Sequence, residues 1–388
     1  MSTEAVIVSA ARTAVAREGG ALRELAPELY GGVVIAEALR RAEVEGGDVD
    51  DVIFGNVLAG GGNIARLALL EAGLPVDVAG MTVDRQCASG SQAIALASDL
   101  VAAGRGSIYV AGGSESMTRA PYLMARPESA FGRTPPAFVR QRLSPERIGD
   151  PTMGQTAENV ARRYGVGREE QDQFALRSQQ RAAAALADGR FKEQIVPLEV
   201  PVGRGETRLF EADEHPRSDT TLERLARLRP AFAADGTVTA GNASGINDGA
   251  AAVVVMARGQ AERRRLRPLG RVVEWAVAGV DPGYMGMGPV PAVRRALERA
   301  GLRLDEIDLV ELNEAFASQA VACIRELGLD PERVNVSGGA IALGHPLGAT
   351  GAILTIKLLS DLRRTGGRRG IVTACIGGGQ GFAAVVEA

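Results

Sequence analysis

Asp51-Val-Ile-Phe-Gly-Asn56 returns 257 residues later as Asp308-Leu-Val-Glu-Leu-Asn313, with Asp and Asn in register. Each run is short, mostly apolar and bounded by polar residues, which is the signature of a buried strand. The same offset sets Cys87 against Gly344, next to His345. After each position comes a helical pattern and then a strand ending in glycines, Gly112-Gly113 in the first half and Gly377-Gly378-Gly379 in the second. Strands that alternate with helices predict an α/β fold with largely internal sheets. The shared order of elements predicts a duplicated α/β unit. If the halves pack about a pseudo-twofold axis, Cys87 and His345 face each other across it.

Around this repeat the strands read as Val6–Ser9, Val52–Phe54, Met81–Val83, Ile108–Ala111 and Ala250–Met256. Helices are expected at Tyr30–Arg41, Arg66–Ala72 and Ser91–Ala103, the last stopped by Gly104. The character shifts near Met117. Six Arg (119, 126, 133, 140, 142, 147) fall among several Pro, an irregular basic excursion. Thr152-Met-Gly-Gln155 fits a capping box that opens a helix through Tyr164, and a longer helix runs from about Arg168 to Asp188. The expected division is an N-terminal half at 1–117, completed by 246–268, an inserted lobe at 118–245, and a C-terminal half at 269–388.

Composition narrows the class. The 388 residues exceed one ordinary domain, and a net charge of −3 favours neither nucleic acid nor an anionic membrane. No apolar stretch is long enough to span a bilayer. Val6–Ser9 lacks the basic flank of a signal peptide and reads as a strand. Three Cys with no C-x-x-C pair argue against a zinc site or a disulfide framework and suit a reducing cytoplasm.

Three glycine-rich turns carry the chemistry. Cys87 lies between a strand and a helix, so backbone N–H groups and the helix dipole point at its sulfur and favour thiolate; the alternative is a buried structural Cys. Arg85 stands near enough to help. His345 is held in Gly344-His-Pro-Leu-Gly348 by a proline that stiffens the turn. It is the better candidate to assist Cys87, since His215 falls in the basic lobe; otherwise it is a loop His satisfied by backbone. Cys375 precedes Ile-Gly-Gly-Gly, where close-approaching N–H groups, Gly377 first, suit an oxyanion site; or it is a packed strand-end Cys. Asn313 could hold a water or a carbonyl, or cap a helix. Gly241–Gly249 is a polar turn before a buried strand, weak evidence alone. Two thiols and one imidazole suit an enzyme that carries an acyl group on sulfur and moves a carbon-bound proton.

Together these segments resemble the thiolase family, acetyl-CoA acetyltransferase or 3-ketoacyl-CoA thiolase, over essentially the whole chain. The resemblance rests on Val6–Thr13, Gln86-Cys-Ala-Ser-Gly90, Gly112-Gly-Ser-Glu-Ser-Met117, Gly241–Gly249, Met285-Gly-Met-Gly-Pro289, Asn313-Glu-Ala-Phe316, Gly344-His-Pro346 and Cys375-Ile-Gly-Gly-Gly379. It implies a duplicated, layered α-β-α-β-α fold with an inserted loop lobe. It implies thiolysis of 3-ketoacyl-CoA, or the reverse Claisen condensation. Cys87 becomes acylated, and His345 takes its proton and donates to a thioester oxygen. Asn313 holds a water of that oxyanion site, and the N–H groups of Cys87 and Gly377 form a second. Cys375 moves the proton of the acetyl carbon.

For substrate binding the resemblance implies Ser244 on the pantetheine, Met285 and Phe316 lining the pocket, and Arg217 near the nucleotide. CoA, acetyl-CoA and acyl-CoA are substrates; no metal or other cofactor is implied, and a homodimer or homotetramer is expected. Thr152 stands where short-chain members have His, and Gly60–Arg66 is shorter than usual, with Ile64 where Pro is common. A ketoacyl-synthase-type enzyme would pair its Cys with two His or with His and Asn. A non-catalytic CoA- or lipid-binding protein would need neither second thiol nor imidazole.

Overall fold

The computed structural model describes residues 3–58, 62–127, 129, 135–203 and 205–388; Gly60 and Gly61 of the Gly60–Arg66 stretch, and Arg133 of the Arg-rich stretch, lie outside the described residues. Two sheets form its frame. The first contains β1 (Ala5–Arg12), β2 (Asp51–Gly55), β3 (Ala79–Val83), β4 (Ile108–Ser116) and β5 (Asn247–Ala257), in the order β1-β5-β4-β2-β3. The second contains β6 (Arg271–Gly279), β7 (Leu309–Leu312), β8 (Arg369–Ile376) and β9 (Gln380–Glu387), in the order β6-β9-β8-β7.

The sequence repeat is visible in the pairing. β2 runs parallel to β4 with Gly55 opposite Gly113, and β7 runs parallel to β8 with Leu312 opposite Thr373. β5 lies antiparallel on β4, as β9 does on β8. The runs that opened the sequence argument are thus the same strand of two like sheets.

Two helices, Ser89–Ala102 and Leu347–Thr365, lie between the sheets and pack on both. Pro27–Arg41 covers the outer face of the first sheet and Pro289–Ala300 that of the second. This is the α-β-α-β-α layering. Strand alternation decides who faces what: along β9, Phe382, Ala384 and Val386 join the central core, while Ala383 and Val385 face the outer helix. β4 and β5 are buried along their whole length, as strands covered on both faces are. Among the described residues no helix is long and apolar enough to cross a membrane.

One sequence expectation is corrected here. Gly112-Gly113 does not end its strand; β4 continues to Ser116. The glycine is needed for close approach instead. A Cβ on Gly113 would lie 2.0 Å from the carbonyl oxygen of Gly348, and one on Gly55 would lie 2.5 Å from the same oxygen. A Cβ on Gly351 would meet the Ser91 amide at 2.2 Å. Bare backbone at these positions lets the helix that follows His345 seat against the first sheet and the Cys87 helix.

Candidate active site

The Cys87 turn is strained in a defined way. β3 ends at Val83, and Gln86–Ala88 form one 3-10 turn before the Ser89–Ala102 helix. Gln86 has φ +47°, a left-handed conformation that costs a non-glycine residue about 1 kcal/mol. Side chains hold it there: Asp84 Oδ1 accepts the Gln86 N–H at 2.7 Å, and Ser89 Oγ accepts from Arg85 N at 2.8 Å while donating to Gln86 O at 2.7 Å. The turn packs on both β8 and the Leu347–Thr365 helix. Cysteine, histidine turn and second cysteine therefore converge from opposite halves.

The N–H of Cys87 itself acts on Cys87 Sγ, as the helix start suggested, and the N–H of Gly377, read from the sequence as an oxyanion donor, acts on the same sulfur. The expectation of a ready thiolate is nevertheless corrected. Burial outweighs both hydrogen bonds and pushes the thiol up to about 11, with the Glu115 and Asp84 charges adding to the rise. Arg85 does not offset this, because its guanidinium turns to Gln380 Oε1 at 3.3 Å.

Cys375 is the penultimate residue of β8 and is fully buried. Its thiol is raised well above the ordinary range, first by burial and then by the charge of nearby Cys87. It packs with Ala157, Ala243, Met285, Ala315 and Phe316, and Met153 borders the group. The following turn needs its glycines: Gly378 and Gly379 have φ +87° and +86°, and a Cβ on Gly378 would lie 2.6 Å from Leu143 O. Leu143 of the 118–245 excursion thus caps the Gly377 loop.

His345 is buried, and burial lowers it to about 4, so the ring is neutral at physiological pH. Its hydrogen bonds fix the tautomer. Thr350 Oγ1 donates to Pro346 O at 2.8 Å, which leaves it to accept from His345 Nδ1–H at 2.7 Å. Nε2 is then the unprotonated nitrogen, and it accepts from Asn313 Nδ2 at 3.2 Å. Among the described residues no hydrogen bond joins Cys87 to His345; Asn313 holds the imidazole lone pair. Asn313 Oδ1 is buried and has no hydrogen-bond partner among the described residues. Asn313 follows β7 and caps nothing, since the next helix, Ala317–Leu327, begins after Phe316.

The substrate-contact candidates divide. Met285 and Phe316 share the apolar cluster of Cys375. Ser244 lies beside them, its N–H donating to Ala315 O at 3.0 Å while Ala243 bridges Phe316. Arg217 is exposed; its backbone N–H donates to Gln179 Oε1 at 2.9 Å and its carbonyl accepts from Thr220 Oγ1 at 2.8 Å. Thr152 is the N-cap of Met153–Tyr164 with the expected capping box. In the Arg-rich stretch Arg140 pairs with Asp150 and Arg142 with Glu146.

Three residues around His345 escaped the sequence reading. Thr350 fixes its tautomer. Asn247 Oδ1 accepts the His345 N–H at 2.9 Å, from a polar turn that carried little weight alone. Glu115 accepts the Gly348 N–H at 2.9 Å. A charged residue inside a strand as apolar as β4 was the available signal for Glu115; a lone threonine at the start of an apolar helix gave little for Thr350. The third cysteine, Cys323, is buried and bonded to Gly286 O at 3.2 Å, a packing residue.

Comparison with known proteins gives the family. Residues 5–259 match the thiolase N-terminal domain and residues 266–388 the thiolase C-terminal domain. The chain is 50% identical over 401 residues to the beta-ketoadipyl-CoA thiolase of Pseudomonas aeruginosa. It is 48% identical over 395 residues to the beta-ketothiolase BktB of Cupriavidus necator; both alignments cover 100% of each chain. Human mitochondrial 3-ketoacyl-CoA thiolase superposes with a TM-score of 0.94 at 40% identity, covering 100% of this chain and 99% of that one. Bacillus anthracis acetyl-CoA acetyltransferase gives a TM-score of 0.93 at 43% identity with the same coverage. Matches of this length and identity place the chain in the thiolase family, acyltransferases that break or form a carbon–carbon bond of acyl-CoA through an acyl-cysteine intermediate.

Proposed function

We propose that Cys87, His345, Cys375, Asn313 and Gly377 divide the thiolase reaction among them. The observation that supports this most is the meeting of two raised thiols from opposite halves beside a neutral imidazole whose Nε2 carries no proton. In thiolysis, Cys87 Sγ attacks the 3-keto carbon and its proton passes to His345. The bond between the α and β carbons breaks, and Cys375 protonates the departing acetyl-CoA carbanion. CoA then attacks acyl-Cys87, releasing the shortened acyl-CoA; the CoA thiol proton returns Cys375 to its thiol, and His345 gives its proton back to Cys87. Condensation is the reverse. CoA and acyl-CoA are substrates, and no metal or redox cofactor enters the scheme.

The charge states decide how attack occurs. With its thiol near 11, free Cys87 thiolate at neutral pH costs on the order of 5 kcal/mol. Transfer to an imidazole near 4 before substrate arrives costs more. Deprotonation is therefore coupled to attack, where the new oxyanion is stabilised. The N–H groups of Cys87 and Gly377 serve one oxyanion; His345, with a water on Asn313 Oδ1, serves the other.

Ser244 is the pantetheine contact, Met285 and Phe316 line the pocket, and Arg217 reaches the nucleotide end. Residues 118–245 form the lobe that carries CoA between halves at 1–117 with 246–268 and at 269–388. A homodimer or homotetramer in the cytoplasm, where the thiols stay reduced, completes the reading. Cys87→Ser and Cys375→Ser test the division of roles. Cys87→Ser abolishes acyl transfer from acetyl-CoA to the protein, followed by mass spectrometry. Cys375→Ser still acylates but neither cleaves nor forms the carbon–carbon bond. Equal loss of both half-reactions in folded Cys375→Ser refutes the assignment. A thiolysis series from four to sixteen acyl carbons shows how long a chain the pocket bordered by Met153 accepts.

A further inference from the structure

The duplication gives Cys375 a counterpart in the first half. Gly55 lies opposite Gly113 and Leu312 opposite Thr373. Asn56 therefore corresponds to Asn313, and Glu115 to Cys375. The helix that opens after His345 corresponds to the one that opens after Cys87. Positions that hold reacting groups in one half hold, in the other, Asn56, Glu115 and the first turn of Leu347–Thr365.

In that second place the chain has built a closed clamp. Glu115 is fully buried, near the end of β4. Its Oε1 accepts from Asn56 Nδ2 at 3.1 Å and Leu58 N at 3.0 Å. Its Oε2 accepts from Val57 N and Gly348 N, both at 2.9 Å. All four partners are donors, so an ionised carboxylate, which only accepts, is the form that matches them. Burial outweighs the bonds from Leu58, Gly348 and Val57, which lower the group, and leaves it pushed up to about 7. Three donors come from the loop after β2 in the first half, and one from the His345 segment in the second. The Gly348 N–H is a first-turn amide without an intrahelical partner, and the helix dipole favours negative charge there.

We propose that Glu115 is a positioning residue of the thiolase reaction: by tying Gly348 to the Asn56–Leu58 loop it sets where His345 stands relative to Cys87. Gly348 follows His345 by three residues, with Pro346 stiffening the link, so a shift of the Gly348 amide carries the imidazole with it. A pair of cysteines and a histidine supplied by separate halves need such a tie across the interface, because helix packing alone permits small sliding. The proposal rests on His345 acting at the site as assigned above.

Glu115→Gln tests it. The amide keeps the shape but turns an NH2 toward two N–H groups. The control is Tyr30→Phe: the Tyr30 hydroxyl donates to the backbone oxygen of Glu115 at 2.8 Å, so this variant loosens the same buried residue and leaves the carboxylate on Gly348. His345→Ala runs alongside. Each folded variant is assayed for acyl-Cys87 formation with acetyl-CoA and for kcat and KM with acetoacetyl-CoA, corrected for the fraction of sites that acylate. The expected result is kcat lower by about 100-fold in Glu115→Gln with KM little changed, the scale of a misplaced catalytic group, and kcat near wild type in Tyr30→Phe. Wild-type kcat in folded Glu115→Gln, or an equal loss in Tyr30→Phe, overturns the proposal. If Glu115→Gln does not fold, Glu115→Asp, whose carboxylate is too short to reach all four donors, carries the test with the same expectation. Failure of both to fold, with Tyr30→Phe folded, overturns it in favour of a purely structural role. Wild-type acylation in His345→Ala would instead refute the site assignment on which it stands.

Discussion

Thr350→Val removes one hydroxyl and isolates its worth. Thr350 Oγ1 accepts from His345 Nδ1–H at 2.7 Å and donates to Pro346 O at 2.8 Å. Pro346 O also accepts from the amides of Ala349 and Thr350 at 2.9 Å, so it remains satisfied in the variant. The loss falls on the imidazole alone, which is left with a buried N–H and no acceptor. Such a group costs about 1–3 kcal/mol. The ring can avoid the cost by moving its proton to Nε2, but there it meets the Asn313 N–H and no longer offers a base. Either way, stabilisation of the reacting geometry falls by that amount, or roughly 5- to 150-fold in rate. The assay is single-turnover acylation of Cys87 by acetyl-CoA, normalised to folded protein, with Thr350→Ser as the variant that retains the hydroxyl. Folded Thr350→Val acylating at the wild-type rate would refute the claim that this hydrogen bond holds the reactive tautomer.

Gly113→Ala places a methyl 2.0 Å from Gly348 O, so a loss of at least about 3 kcal/mol and of most activity is expected, read by thermal unfolding and thiolysis; a stable, active variant would show that the close approach is not needed. Lys357→Met leaves Glu311, its buried partner at 2.9 Å, without a counter-charge, and a cost of about 3–5 kcal/mol in denaturant titration is expected. Glu311→Leu combined with Lys357→Met should recover much of that loss, because burial already pushes Glu311 up to about 7 and the pair contributes little net stability. Alkylation of Cys87 by iodoacetamide should accelerate about tenfold per pH unit from 7 to 9 without a plateau, since the thiol titrates near 11 and only the thiolate reacts. A plateau below pH 8 would mean that the two N–H groups at the sulfur outweigh its burial.

Much of the candidate site could be read in the chain because chemistry concentrates rare residues. Cys87, His345 and Cys375 announced themselves by scarcity and glycine-rich flanks, and the Asp51–Asn56 repeat announced the duplication. The Thr152 capping box is local in sequence, and it formed as read. What failed in the reading was what depends on distant backbone. Gly112-Gly113 looked like a strand end, but Gly113 serves a helix more than two hundred residues away and Gly112 the close approach of Ala251 on the neighbouring strand. Asn313 left two readings open, a water or carbonyl contact and a helix cap; only the fold shows that the next helix starts after Phe316 and that its Nδ2 lies against His345. Cys87 looked like a ready thiolate, because the sequence shows the helix start and not the burial that outweighs it.

The sequence by itself determined the family, the doubled α/β plan and the candidates for the reacting groups, since these follow from residue types and from patterns shorter than one element. Only the tertiary structure decided the state of those groups. Whether a thiol is ionised, which imidazole nitrogen carries the proton, and which carboxylate holds the histidine turn depend on desolvation and on donors brought from the other half. Those quantities arise where the two halves meet, through contacts such as Gly348 to Glu115 that join positions 233 residues apart.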